Sequence, residues 1–247
     1  MVPRVLTTGL DILRIVAEAE TPLTATAIAQ RVGLHVSSVS RTLAVLVRHG
    51  YLRKPTYHSF AADLGVLALA GQAVTRLPAV ARTREAIEAL ARETGMQATL
   101  AALHHDEVLY LHRSQRAETI TGVAGGFPLH LSVVGLRLLL DLPTAEATAA
   151  LERAERRYGW ERPTPATPAT PAECLAQAGQ RLRDGMLRID AWDAPGVLGA
   201  AVRVDVAGHA PLAVALVGPL PDDADAFART HLDRGAAAVR TALEEQM

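Results

Sequence analysis

The sequence predicts an α+β fold in more than one domain, and three observations carry this prediction. Over the first sixty residues, apolar residues recur at helical spacing between glycine and proline breaks. Beyond residue 80, strand-like and helical segments alternate as in an antiparallel sheet covered by helices. The charge divides at a similar place, with a net +4 on residues 1–60 and −5 on the remainder. We therefore expect a small anion-binding module joined to a larger domain.

Overall composition excludes several classes of protein. The net charge of −1 argues against a uniformly basic protein that coats nucleic acid. Cys174 is the single cysteine, which excludes an intramolecular disulfide and a cysteine zinc cluster. Charged residues interrupt the first hydrophobic stretch, and no apolar run reaches the ~18 residues of a membrane span. We expect a cytoplasmic protein with no membrane partner.

Residues 1–50 predict three helices. The first carries an apolar stripe and ends before Thr21-Pro22. Thr26 is predicted to cap the second, because its hydroxyl can accept a backbone N–H bond. Glycines end the second and third helices, as expected for a residue that tolerates the left-handed conformation. The predicted spans are 6–17, 27–32 and 35–49.

The second and third helices around Gly33 form a helix-turn-helix pattern. Small hydroxyl residues and Arg41 lie on the outer face of the third helix, which suits close approach to base edges and phosphates. Residues 51–60 predict a two-stranded wing around a turn at Pro55-Thr56, with a basic tip for a phosphate or minor-groove contact. A three-helix module that binds another protein is the alternative. The candidate DNA contacts are Thr26, Val36, Ser37, Ser38, Ser40, Arg41, Arg53, Lys54, Tyr57 and His58.

The rest of the chain predicts an antiparallel sheet with helices. Residues 64–77 predict a helix that Pro78 interrupts, followed by a helix over 80–94. The proline-rich stretch 162–174 predicts a mobile surface loop, because proline lacks an N–H and fixes φ. Further helices are expected at 133–142, 144–156, 172–184 and 222–245. Strands are expected at 96–103, 107–113, 119–123, 187–191, 198–206 and 212–217.

The segment TPLTATAIAQRVGLHVSSVSRTLAVLVRHGYL resembles the winged helix-turn-helix of IclR-type bacterial transcriptional regulators. The segments ETGMQATLAALHHDEVLYLHR, GGFPLHLSVVGLRLLL and PLAVALVGP resemble parts of that family's GAF-like effector domain. The chain departs from the family at His35-Val36 and near Thr8, so operator sequence and affinity do not carry over. The resemblance implies a winged helix-turn-helix at 1–63, a helical linker at 64–80 and a GAF-like effector-binding and oligomerisation domain at 81–247. Helix 80–94 is expected to cover the sheet, to contact a second subunit, or both.

The resemblance also places an effector site in a cup formed by the sheet, the PLH loop and the last strands. Because Ser132 and Asp190 are the main polar residues at the matched positions, we expect an effector larger and more apolar than a simple oxo-acid. A collapsed pocket that binds nothing is the alternative. The candidate effector residues are Phe127, Leu129, His130, Leu131, Ser132, Val133, Val134, Asp190, Trp192, Gly199, Ala201, Ala215 and Val217.

The resemblance implies a ligand-responsive transcriptional regulator, with repression favoured, that binds a roughly palindromic operator as a dimer or tetramer. No catalytic residues, cofactor or metal site are expected. The G-x-S-x-G, P-loop and H-E-x-x-H motifs are missing, and the adjacent residues His104, His105 and Asp106 lie on a turn that does not favour one metal ion. The alternative is a small-molecule sensor that acts through protein contacts with weak or no DNA binding.

Overall fold

The computed structural model describes residues 4–104, 107–114, 127–219 and 221–245. The chain divides into two compact units, Met1–Leu77 and Pro78–Met247. Both units combine helices with an antiparallel sheet, which confirms the α+β prediction. Within the described ranges, no single helix is long and apolar enough to cross a membrane. Only Leu64–Arg76 and Pro78–Thr94 taken together meet the length and composition criteria.

The first unit is a helical module with a small sheet of strand order β1-β3-β2. Its core consists mainly of apolar residues spaced along the first three helices, with Leu52 and Phe60 contributed by the strands. The predicted helix-turn-helix and two-stranded wing are both present. The elements are α1 (Arg4–Ala17), β1 (Leu23–Thr24), α2 (Ala25–Val32), α3 (Val36–Arg48), β2 (Leu52–Thr56), β3 (Ser59–Ala62) and α4 (Leu64–Arg76).

The cap of α2 is Thr24, and the predicted cap at Thr26 is wrong. Thr24 has an extended backbone, and its hydroxyl oxygen accepts a bond from the Ala27 N–H at 3.2 Å. The helix therefore begins at Ala25, and Thr26 lies exposed in its first turn. Gly33 ends the helix at φ 65°, a left-handed conformation that favours glycine, as the sequence predicted.

The wing turns at Tyr57-His58, later than the predicted turn at Pro55-Thr56. The hydroxyl oxygens of Thr56 and Ser59 lie 2.7 Å apart and join the two strands where the turn begins. Pro55 belongs to β2, at an irregularity in the register with β3. Because β2 is an edge strand, its ladder tolerates a residue without an N–H.

The described strands of the second unit form one antiparallel sheet of order β5-β4-β9-β8-β7-β6. The predicted strands and helices follow one another in the predicted order, apart from the predicted strand at 119–123, which lies outside the described residues. The two-residue strand Leu182–Arg183 was not predicted. A single 3-10 turn, Leu129–Leu131, precedes α7. The elements are α5 (Pro78–Ala81), α6 (Arg84–Thr94), β4 (Gln97–His104), β5 (Glu107–Arg113), α7 (Val133–Leu139), α8 (Thr144–Tyr158), α9 (Pro171–Arg181), β6 (Leu182–Arg183), β7 (Met186–Asp190), β8 (Val197–Val204), β9 (Leu212–Pro219) and α10 (Ala224–Glu244).

The sheet carries helices on both faces. Successive side chains of a strand point to opposite faces. Gly199 and Ala201 of β8 face α7, and a Cβ added at Gly199 would lie 3.3 Å from the Cβ of Val133. The alternate residues Leu198 and Ala200 are fully buried on the other face, where α6 and α10 pack. The α7 face holds the cavity described below.

Two predicted helices have different bounds in the structure. The helix expected at 80–94 is interrupted at Thr83, whose buried hydroxyl donates to the Ala79 carbonyl at 2.8 Å and so bonds the preceding turn. Of the two expectations for this segment, packing on the sheet is observed for α6. The helix expected at 172–184 ends at Arg181, because Leu182 and Arg183 pair with β7 across a turn at Asp184-Gly185.

Candidate functional site

In the first unit, α3 presents an exposed face of small and basic side chains. Val39 and Leu43 are fully buried, whereas Val36, Ser37, Ser40 and Arg41 are exposed on the other side of the helix. Ser38 is half-buried, and its carbonyl accepts a 3.4 Å bond from the Thr42 hydroxyl. The Ser37 hydroxyl lies 3.4 Å from Nδ1 of His35. This face is free of bulky side chains where a recognition helix needs close approach.

The wing presents the second group of predicted contacts. Arg53, Lys54, Tyr57 and His58 are all exposed, and the Tyr57 side chain is 83% accessible. The Lys54 ammonium lies 5.7 Å from the Tyr57 ring and 5.2 Å from the Phe60 ring, within the range of cation–π attraction. The wing tip therefore carries positive charge on a small aromatic platform. Thr26, the remaining predicted contact, lies on α2 rather than on α3 or the wing.

In the second unit, a cavity opens between the sheet and α7, with about 580 Å³ of empty space that includes its open mouth. Many of the predicted effector residues meet there. Trp192, in the segment after β7, is 1% exposed and forms part of the wall. The predicted residues that line the cavity are Phe127, Leu131, Ser132, Val133, Val134, Trp192, Gly199 and Val217.

The other predicted effector residues lie elsewhere. Leu129, Ala201 and Ala215 belong to the packed core. His130 is buried away from the cavity lining, where its Nε2 donates to the Glu161 carbonyl at 2.7 Å and its ring stacks 4.0 Å from Trp160. Asp190 pairs with Arg188 at 2.8 Å on a partly exposed edge. Of the two polar residues expected in the pocket, Ser132 lines the cavity and Asp190 does not.

Most of the polar residues that line the cavity lie on β4 and β5. None of these residues was among the candidates predicted from the sequence. The additional polar lining residues are Gln97, Thr99, Tyr110, Arg113 and Asp193. Four of them lie on β4 and β5, whose match to the family was general, whereas Asp193 directly follows the predicted effector residue Trp192. The alternation of residues along β5 places Tyr110 on the side that faces α7, so the sequence could have identified Tyr110. The position of Arg113 in the cavity depends instead on how β5 pairs with β4. The sequence predicted few polar residues in the pocket, whereas the cavity of the structure is partly polar.

Tyr110 joins the sheet to the start of α7. Its hydroxyl lies 2.8 Å from that of Ser132, and the Ser132 oxygen also accepts the Gly135 N–H at 3.2 Å as the helix cap. Burial raises the pKa of Tyr110 above its ordinary value, although the Ser132 bond and the charge of Arg113 oppose this. The phenol is therefore neutral near pH 7 and available as a hydrogen-bonding group. A Cβ at Gly135 would lie 2.4 Å from Val108 Cγ2, so the close packing of α7 on β5 requires glycine.

Arg113 lies beside Tyr110 in the same cavity. Its guanidinium carbon is 4.0 Å from the Tyr110 ring centre and 5.3 Å from that of Phe127. Its Nε is buried without a hydrogen-bond partner among the described residues, as are Nε1 of Trp192 and, outside the cavity, Nδ1 of His231. Buried donors normally have an acceptor, so the two donors of the cavity wall call for one.

The proline-rich segment secures the Trp192 wall, contrary to the predicted mobile surface loop. Thr164 and Thr167 are buried, and their hydroxyls donate to the carbonyls of Ala191 at 2.5 Å and Trp192 at 2.6 Å. Ala191 adopts a φ of 60°, and the bond from Thr164 helps to hold this strained position. Residues 162–170 form no helix or strand, as expected, whereas α9 begins at Pro171, inside the stretch predicted to be irregular. Two threonines between the prolines fix the segment to the cavity wall.

Comparison with known families gives two matches that together cover most of the chain. The family described as the IclR helix-turn-helix domain matches residues 5–55. The family described as the bacterial transcriptional regulator IclR C-terminal domain matches residues 71–242. The first match contains α2, α3 and most of β2, and the second contains the residues that line the cavity.

Individual relatives agree with these matches. An HTH-type transcriptional regulator, BhcR of Paracoccus denitrificans, is 31% identical over 225 residues, covering 87% of this chain and 77% of that protein. A crystal structure of an IclR family transcriptional regulator from Brucella abortus has a TM-score of 0.74 at 24% identity, over 96% of this chain and 92% of the other. An IclR homolog from Microbacterium hydrocarbonoxydans, complexed with 4-hydroxybenzoate, has a TM-score of 0.67 at 24% identity, covering 98% and 100% of the chains.

Proposed function

Because this chain belongs to the IclR family of bacterial transcriptional regulators, we propose that it is a transcriptional regulator controlled by an effector. We propose that it acts in the cytoplasm, as a repressor rather than an activator. The observation that carries the proposal is the exposed face of α3 beside a basic wing in one unit, together with a partly polar cavity in the other. Ser37, Ser38, Ser40 and Arg41 are proposed to face the major groove. No catalytic activity or cofactor is part of this proposal.

Self-association would give the DNA contacts their symmetry. A dimer presents two recognition helices to the two halves of a roughly palindromic operator. Exposed apolar side chains in the first unit support association, because isolated chains seldom leave such groups in water. A tetramer would join two such dimers. On α1 the exposed large apolar residues are Val5, Leu6 and Leu10, and on α4 they are Leu64, Leu67 and Leu69.

The effector is proposed to be a small organic molecule, larger and more apolar than a simple oxo-acid. Tyr110, Phe127 and Trp192 give the cavity aromatic walls, which supports an effector of this kind. The 4-hydroxybenzoate held by the Microbacterium homolog supports an aromatic effector. An effector can change operator affinity only by binding the DNA-competent and DNA-incompetent states differently.

A gel shift on the DNA upstream of the protein's own gene tests the proposal. Retardation should weaken steeply as salt increases, because phosphate contacts release counterions. Adding 4-hydroxybenzoate at increasing concentration tests the response at fixed salt. Retardation that is lacking at low salt, with intact folding and effector binding, would instead favour the sensor that acts through protein contacts. Equal operator affinity with and without a bound effector would exclude the proposed control.

A further inference from the structure

Arg113, on the wall of the cavity, is a cation that no carboxylate of the described residues contacts. It lies at the end of β5 and is half-buried. Within the described residues it forms no ion pair, although arginines outside the cavity, such as Arg188 and Arg203, each contact two carboxylates. Its Nε is shielded from solvent and has no acceptor among those residues. The cavity therefore contains a guanidinium that is free to pair with a carboxylate.

The aromatic contacts of Arg113 hold the guanidinium but do not complete its hydrogen bonds. Tyr110 and Phe127 approach at ring-centre distances of 4.0 and 5.3 Å. Cation–π attraction acts through the face of a ring, whereas the N–H groups of a guanidinium point outward in its own plane. The Tyr110 hydroxyl also interacts with the guanidinium, whereas the Nε–H is left without an acceptor among the described residues. A carboxylate can accept two parallel bonds from such a planar group.

A second donor in the same wall is Nε1 of Trp192. The side chain is 1% exposed, lines the cavity and has no acceptor for this N–H among the described residues. An indole nitrogen only donates, so it requires an acceptor and not another donor. Two buried donors without acceptors indicate an acceptor-rich ligand.

The negative charge of Asp193 on the same lining limits the ligand to one carboxylate. Asp193 is exposed and also lines the cavity. A second carboxylate near Asp193 would be repelled, whereas a hydroxyl or an uncharged ring edge would be accepted. Much of the remaining wall is apolar, with Leu131, Val133 and Ile189 available to pack against a ring.

We infer that Arg113 binds the acid group of the effector, and that the effector is a flat monocarboxylic acid with an uncharged far end, of the benzoic acid type. Trp192 donates a further bond to the acid or to another acceptor on the ligand. The inference rests on the proposed function for its regulatory meaning, but the binding chemistry follows from the cavity alone.

Calorimetry on the full-length protein tests this recognition with matched probes. The probes are benzoate and 4-hydroxybenzoate, their uncharged amides, and benzene-1,4-dicarboxylate. At least one monocarboxylate should bind about tenfold to hundredfold more tightly than its amide, the range expected for a charge-assisted bond. The dicarboxylate should bind more weakly than the monocarboxylate. An amide that binds as tightly as its acid, or a panel in which no monocarboxylate binds, would overturn the inference.

Variants identify the residue responsible. Arg113→Gln should remove most of the preference for acid over amide, and Arg113→Lys should retain part of it. Arg181→Gln is the matched control, because Arg181 is exposed and lies 5.1 Å from the Trp192 ring but does not line the cavity. Equal losses in the Arg113→Gln and Arg181→Gln variants would attribute binding to overall charge and would contradict the inference.

Thermal unfolding and operator binding complete the test. A melting temperature for Arg113→Gln close to that of the parent protein excludes a folding defect. If the melting temperature falls, unchanged affinities for the amides show that the cavity is still folded. A protein that prefers monocarboxylates but never binds operator DNA would refute the proposed function and uphold Arg113. Release of operator DNA by an uncharged ligand, in a protein that does not prefer acids to amides, would uphold the proposed function and refute the role of Arg113.

Discussion

Arg41 is the residue of the first unit on which base recognition depends most in our proposal. Its side chain is exposed on α3 and forms no ion pair with the described residues, so it is available to guanine or phosphate. The nearby Ser37 and Ser40 are too short to reach as far. A single long donor on a face of small side chains is expected to discriminate between operator sequences.

Replacing Arg41 with alanine should weaken operator binding by about 1–3 kcal/mol if it contacts a base. The measurement is a titration of labelled operator at fixed salt. Arg240→Ala is the control, because Arg240 is exposed on α10 in the other unit and its loss changes the net charge equally. Operator affinity that is the same for both variants would remove Arg41 from the interface.

His112 links β5 to the start of the second unit and makes its stability depend on pH. Its Nε2 donates to the Val80 carbonyl at 2.8 Å, and burial lowers its pKa below the ordinary value of 6.5. Burial also lowers the pKa of His130. Because the unfolded chain binds protons at higher pH than the folded one, the stabilisation is present above pH 6.5 and decreases below it.

We therefore expect the free energy of unfolding of the second unit to fall between pH 7.5 and 5.5. Denaturant titrations followed by fluorescence measure this unit, because both tryptophans, Trp160 and Trp192, lie in it. His112→Gln should be less stable at pH 7.5 and lose less stability on acidification. An identical pH dependence in the variant would show that His112 does not contribute.

At the scale of elements, local patterns predicted helices and strands well, and their ends less well. The glycine after α2 and the apolar stripe of α3 are properties of a few neighbouring residues, which is why both were predictable. The start of α2 depended on a choice between Thr24 and Thr26, which only the backbone angles decide. Arg113 was missed because its position in the cavity results from pairing between strands.

The proline-rich segment illustrates a contact that composition conceals. Thr164 and Thr167 bond to carbonyls about 25 residues further along the chain, a separation that no local pattern predicts. Thr167→Val should destabilise the second unit by about 1–3 kcal/mol, because the substitution leaves the buried Trp192 carbonyl without this donor.

Tryptophan fluorescence in denaturant also measures this change. Thr148→Val is the matched control, since that hydroxyl bonds within exposed α8 at 2.8 Å and should cost little. Similar stabilities for the two variants would mean that the segment does not secure the cavity wall.

For the whole molecule, the division of charge is a property of function rather than of fold. The net +4 of residues 1–60 lies in the part that carries α3 and the wing, whereas the −5 lies mostly with the sheet and cavity. The near-neutral total therefore gives little information about a DNA partner until the chain is divided. Attraction to phosphate is required of the first unit only.

Neutralising the wing tests this division. Arg53→Gln combined with Lys54→Gln should weaken binding to all DNA sequences similarly. It should also reduce the slope of log affinity against log salt by about 1 for each phosphate that the wing no longer neutralises. Filter binding on operator and unrelated DNA at several salt concentrations measures both effects. An unchanged slope would place the wing away from the phosphates.

The bonds from Thr164 and Thr167 end on main-chain oxygens, and this has a consequence for how ligand preference can evolve. Because carbonyls of Ala191 and Trp192 are the acceptors, the clamp does not depend on which side chains follow β7. The left-handed backbone restricts position 191 and the buried side chain of Trp192 packs in the core, but the exposed position 193 has neither constraint. A biosensor designer could randomise position 193 and retain the scaffold, since the wall is fastened independently of the group displayed there.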